Sequence, residues 1–144
     1  MSNLTELNPL IYPARIWVGF NISDKDLADE FWGLNENDEC IDIGDNIIED
    51  NGTTIARCSP VAHKQSGWRG VILNIVRPKQ FTAGVMAHEA EHIVCWMCEQ
   101  FGINSTTFDD SEPRAYLMQW LVDEIAKISK QSKKQKPTTN NNGH

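Results

Sequence analysis

No stretch of the 144 residues approaches eighteen consecutive apolar side chains, so no segment is long enough to cross a bilayer as a helix. The opening segment MSNLTELNPLIYPARIW lacks the basic end and apolar run of a secretory signal. We therefore expect an intracellular protein with no membrane partner. In that setting the four cysteines (Cys40, Cys58, Cys95 and Cys98) read as free thiols or metal ligands before disulfides. The acid-rich stretch ECIDIGDNIIEDN has no Asp-x-Asp-x-Asp-Gly register with a closing Glu, which removes a calcium loop. Internal repeats are also missing.

Acid is absent from residues 127–144, which hold Lys127, Lys130, Lys133, Lys134 and Lys136. Setting those five aside leaves eight of the thirteen basic residues against all twenty acids, a balance of −12 for the first 126 residues. Such a body repels phosphate backbones, so nucleic-acid binding through it is excluded. Hydrophobic content of 40% and charged content of 23% fit one globular domain with a real core. We place that domain at residues 1–128 and a basic, polar tail at 129–144, which has no apolar residue and should fray.

Several elements are legible. RIWVGF (15–20) has strand propensity, and Pro9 and Pro13 make the segment before it extended. Ser23 is an N-cap for a short helix through Leu27 and Phe31, with Gly33 as its stop. ECIDIGDNIIEDNGTTIARC alternates apolar and polar residues around Asn51-Gly52, a hairpin signal. Residues 59–70 read as a polar connector and VILNIV (71–76) as the most buried strand, ended by Pro78. Thr82 caps a helix running to about Phe101, with Phe81 and Met86 as its hydrophobic staple and Gly102 in the left-handed position after it. Pro113 opens a last helix whose Leu117, Leu121, Ile125 and Ile128 form one apolar stripe.

The chemistry concentrates in residues 88–92, His-Glu-Ala-Glu-His. On a helix, positions i and i+4 share a face, so both imidazoles can reach one ion. Zinc suits imidazole, and two histidines supply half of a tetrahedral set. Glu89 lies about 100° round the helix from His88, too far to join the ligands but close enough to hold a water and take its proton. A chance His-Glu-x-x-His in a chain of this length is expected in on the order of one sequence in a few hundred. The capped, apolar-flanked helix around it adds weight.

A catalytic zinc takes three protein ligands. A glycine at position 95 would let the chain bend so that a ligand at 98 reached back, but position 95 is cysteine. The helix should therefore continue and carry Cys98 away from the ion. Glu112, twenty residues past His92 and held by Pro113, is the better third ligand, with Asp109, Asp110 and Cys95 as rivals. Tyr116, one turn from Glu112, could direct its hydroxyl at an oxyanion. Cys95-x-x-Cys98 lies too deep in the helix for thiol redox chemistry, which needs the first cysteine at a helix N-terminus. It reads as small buried packing. His63 reads as a solvated loop histidine, and Trp68 and Arg69 as residues that could flank a cleft.

These residues resemble the gluzincin branch of the zincin metallopeptidases: His88-Glu89-x-x-His92, followed downstream by a helix bearing Glu112. SEPRAYLMQW, with Glu and Tyr four apart, also resembles short metallopeptidase-like proteins encoded by bacteriophages and mobile elements. The resemblance spans residues 68–128. It implies an α+β fold: a minimal zincin-like core, with a small, mostly antiparallel or mixed sheet packed on the motif helix and a C-terminal helix. It further implies one Zn2+ on His88, His92 and Glu112, with Glu89 as general base. Peptide substrates would lie along an edge strand at 71–76, and the setting would be the cytoplasm of a bacterial host or a virion. The alternative expectation is a non-catalytic, zinc-stabilised protein of the same fold that docks into a larger assembly.

Overall fold

The structure, a computed structural model, describes residues 3–46, 52–104 and 106–134. Six strands form one mixed sheet: β1 (Leu4–Leu7), β2 (Arg15–Phe20), β3 (Phe31–Leu34), β4 (Cys40–Ile41), β5 (Ala56–His63) and β6 (Arg69–Ile75). Their order across the sheet is β1-β2-β6-β5-β3-β4. Only the β2–β6 pair is parallel; the other four pairings are antiparallel. Helices α1 (Asp24–Glu30), α2 (Ala83–Phe101) and α3 (Glu112–Lys134) complete an α+β fold. Among the described residues no helix is long and apolar enough to cross a membrane.

Local chemistry sets most boundaries as expected. The Ser23 hydroxyl accepts from Asp26 N–H at 3.1 Å, and Thr82 Oγ1 accepts from Val85 N–H at 3.3 Å. Gly102 takes φ 63°, and Ile103 N–H donates to the Cys98 carbonyl at 3.0 Å, closing α2 in a Schellman turn. Residues Leu117, Leu121, Ile125 and Ile128 are all buried, as their spacing requires.

Four expectations fail, each for a tertiary reason. Helix α1 stops at Glu30 rather than Gly33, because Phe31 turns extended to bury itself edge-on to Trp17, ring centroids 4.9 Å apart. Burial beats helical continuity there. The connector at 59–70 is largely strand: β5 runs to His63, and Gly67, at φ 74°, turns the chain into β6. No β4–β5 hairpin forms, since β3 lies between those strands; Asn51 itself is outside the described residues. Helix α3 continues through 129–134 to Lys134, with Ser129 buried, so the helical part of the tail is longer than its polarity suggested. Residues 135–144 lie outside the described residues.

The main core lies between one sheet face and the α2–α3 pair. Ile16, Val18, Val71, Leu73 and Ile75 from the sheet meet Ala90, Ile93, Val94 and Met97 of α2 and the α3 stripe. The other sheet face buries Trp17, Val61 and Ile72 with Leu27 and Phe31. Leu121 is fully buried in the main cluster, so Leu121→Ala should cost about 2–5 kcal/mol. A urea titration with unchanged slope and a lower midpoint is the expected reading.

Candidate metal centre

Helix α2 presents two sides. Glu89, Ala90, Ile93, Val94, Met97 and Cys98 are buried, while His88, His92 and Cys95 are exposed. The buried stripe fixes the helix in rotation, and that rotation decides what faces outward. His88 Nε2 and His92 Nε2 stand 3.2 Å apart, with ring centroids 4.9 Å apart at 79°. Two nitrogens held by one zinc at 2.0–2.1 Å in tetrahedral geometry lie about 3.3–3.4 Å apart. The observed 3.2 Å is close to that spacing. Without zinc, the same distance has one imidazole donate to the other.

Among the described residues Glu89 is the one buried carboxylate, at 7% exposure. It lines a groove with His92 and Trp96 of α2 and with Cys58, Ser59 and Pro60 of β5. The Cys58 thiol donates to the Glu89 carbonyl at 3.4 Å. Burial, then the negative charge and hydrogen bond of the Glu89 side chain, push that thiol far above its ordinary range, so Cys58 stays protonated.

The floor of this groove is a partly open strand. His63 N–H donates to the Trp68 carbonyl and Val76 N–H to the Ile55 carbonyl, so odd-numbered residues turn their backbone groups toward β6. Ala56, Cys58 and Pro60 therefore turn theirs the other way, where β3 reaches only 61–63. That parity explains Pro60, whose missing N–H falls off the β5–β6 ladder. The expected edge strand at 71–76 is corrected accordingly: β6 is interior, between β2 and β5, and the stretch without a strand partner among the described residues on its outer side is 56–60.

The third-ligand candidates are not gathered with the histidines. Among the described residues no group of three His, Cys, Asp or Glu side chains is placed to hold a metal. Helical phase gives the reason for Glu112. It is the first residue of α3 and lies about 180° round the axis from buried Leu121, hence on the solvent side. Tyr116 shares that side, is 67% exposed, and lines a separate groove with Pro9 and Trp120. Asp109 and Asp110 are exposed in the preceding turn, Asp110 accepting from the Thr107 hydroxyl at 2.9 Å. Cys95 sits about 4.5 Å further along the axis than His92, on a side chain shorter than imidazole.

Against known protein families, curated proteins and solved structures, the chain shows no match. Function must be read from the site itself.

Arg114 is the α3 residue that does face α2, and its position went unremarked in the sequence. Its spacing from Leu117, Leu121, Ile125 and Ile128 placed it on the buried stripe. The guanidinium pairs with Glu91 and reaches Cys95 Sγ at 3.5 Å and Cys98 Sγ at 3.9 Å. These contacts, Cys95 and Glu91 foremost, raise the Arg114 pKa further. Cys95 is thus exposed and tied up with Glu91 (3.3 Å) and Arg114 rather than serving as small buried packing. Burial raises the Cys98 thiol despite Arg114. His63 is also no solvated loop residue: it ends β5, stacked on Trp17 at 6.0 Å. Trp68 stays 37% exposed, with the Arg15 guanidinium 3.9 Å over its ring.

For Glu91, burial alone would raise the carboxyl. Hydrogen bonds from Cys95 and Arg114 and the guanidinium charge outweigh it and hold the pKa below the ordinary 4.5. A depressed folded-state pKa contributes stability that is present above 4.5 and lost as pH falls through the lowered value. Arg114→Gln should move the Glu91 titration, followed by NMR, back up toward 4.5 and remove that share of the acid-induced loss. An unmoved titration would show the pair to be uncoupled.

Proposed function

We propose that the protein is a zinc-dependent hydrolase of peptide bonds, with His88 and His92 as two of the metal ligands and Glu89 as general base. The observation that carries this reading is the 3.2 Å approach of the two Nε2 atoms beside a groove lined by His92 and the buried Glu89. A bound zinc supplies Lewis acidity, which acidifies water and polarises a carbonyl. Glu89, fixed between α2 and β5, takes the proton of the attacking water and returns it to the leaving amine. Backbone groups of Ala56, Cys58 and Pro60 offer a substrate strand its pairing partners. Glu112 remains the proposed third ligand. Asp109 and Asp110 are its nearest substitutes, and Tyr116, one turn along from Glu112, is the proposed oxyanion contact.

A second reading is favoured by one observation, the absence of a third ligand beside the histidines among the described residues. In it the same zincin-like chain is non-catalytic, its metal stabilising the α2 face within a larger assembly such as a virion.

Zinc content and peptide cleavage separate the two. The proposal expects one zinc per chain and cleavage by the wild type. Glu89→Gln should keep the metal and lose about 10²–10⁴-fold in rate, and His88→Ala should lose the metal. Zinc without cleavage favours the second reading. A metal-replete preparation that binds none sinks both.

A further inference from the structure

Helix α3 packs on α2 and the sheet with one face and leaves the opposite face to solvent. On it Glu112, Tyr116, Asp123, Lys127, Lys130 and Lys134 are exposed, with Trp120 half-buried. All lie within about 80° of Glu112 around the axis. Charge along this face is ordered. Asp109, Asp110 and Glu112 stand at its head, two aromatics one turn apart follow, and then come Asp123 and the lysines, Lys127 also pairing with Glu124 at 2.9 Å, with no acid after Glu124.

Beside the aromatics stands the turn between β1 and β2. Leu10 and Ile11 are each 83% exposed and wall a groove of about 400 Å3 together with Tyr116, Trp120 and Pro113. The turn is ordered. Leu10 N–H donates to Asn8 Oδ1 at 3.0 Å, and the Tyr12 ring stacks on Phe101 at 5.5 Å. Leu10 also holds φ 50°, a left-handed conformation that a branched aliphatic residue adopts at a cost. A strained, hydrogen-bonded turn that keeps two aliphatic side chains in water is preorganised for a contact.

We propose that this face is a self-association surface, occupied by a second copy of the chain whose α3 runs antiparallel across it about a twofold axis near Trp120. Charge complementarity selects that occupant. Antiparallel packing sets the acidic head of each α3 against the lysine end of the other, Asp110 and Glu112 facing Lys127 and Lys130. The aromatic centre and the Leu10–Ile11 turn then meet their own copies, as an isologous interface requires. Parallel packing would instead stack like charges. The surface is complementary to itself and needs no foreign sequence, and nothing in this argument uses the metal.

The test uses the full chain, with light-scattering mass and zero-length carbodiimide coupling read by mass spectrometry. Glu112 and Lys130 are eighteen residues apart on one helix, about 27 Å, so a direct link between them cannot form within one chain. The expected result is twice the 16.3 kDa chain mass, with links joining residues 109–112 to Lys127 or Lys130. Ile11→Asp, at a site exposed enough to leave the fold intact, should return the mass to 16.3 kDa with an unchanged thermal melt. Lys130→Glu should weaken the dimer independently. A wild type that is monomeric at every concentration overturns the proposal. So does a dimer that survives both variants, or one whose links avoid the two ends of α3.

Discussion

The seating of α2 between the sheet and α3 governs everything else in this molecule. Ala90, Ile93, Val94 and Met97 are fully buried against sheet residues such as Val71, Leu73 and Ile75 and against the α3 stripe. A helix locked along that stripe has no rotational freedom, so its remaining residues are aimed as well as exposed. His88 and His92 come out together on the open side. Glu89, about 100° away, falls at the boundary, where it is buried yet lines the groove over β5. One packing interaction therefore produces both the paired imidazoles and the sheltered carboxylate. Burying a carboxylate without compensation is costly, and the Cys58 thiol at its side is part of what makes the position tolerable.

Phase also explains why α3 contributes less to the site than its sequence promised. Its stripe at Leu117, Leu121, Ile125 and Ile128 needs the helix turned so that Arg114 faces α2. Glu112 and Tyr116 then point outward. Two demands on one helix compete, and about twelve residues of apolar periodicity outweigh one carboxylate at the first turn. The same outward phase builds the acid, aromatic and lysine face. The features that weaken a preformed third ligand are the ones that make a self-complementary surface.

The legible parts of the fold were those fixed locally. Caps at Ser23, Thr82 and Gly102 announce themselves because their hydrogen bonds close within three to five residues. The β-branched run at 71–76 and the α3 stripe were legible because periodicity reports burial directly. The histidine pair belongs to this class, since i and i+4 geometry is a property of any helix. What sequence could not show depended on partners far along the chain. Phe31 leaves its helix because Trp17 and His63 surround it. Residues 56–63 form a strand because β6 and β3 flank them, despite Pro60 and Ser59. No local count places β3 between β4 and β5. The placement of Glu112 was illegible for the same reason, because it depends on the relative phase of two helices joined by a loop.

The open stretch of β5 follows from this topology. An unpaired strand edge is ordinarily a hazard, since it templates further strands. Here the hazard is limited by two residues and a neighbouring strand. Pro60 removes one donor, Arg57 places a charge that pairs with Asp24 at 3.5 Å, and β3 closes the edge from Val61 onward. What remains, among the described residues, is a short run of acceptors and the N–H groups of Ala56 and Cys58, beneath α2 and beside Glu89 and His92. A stretch that short pairs weakly with an arbitrary strand, and the proposed substrate would be one extended segment held in register. Its position matters more than its length, because backbone able to pair with a peptide coincides here with a buried carboxylate and an imidazole. Of the features that α2 brings together, that coincidence is the hardest to attribute to packing alone. A core needs neither an unpaired strand nor a carboxylate facing it.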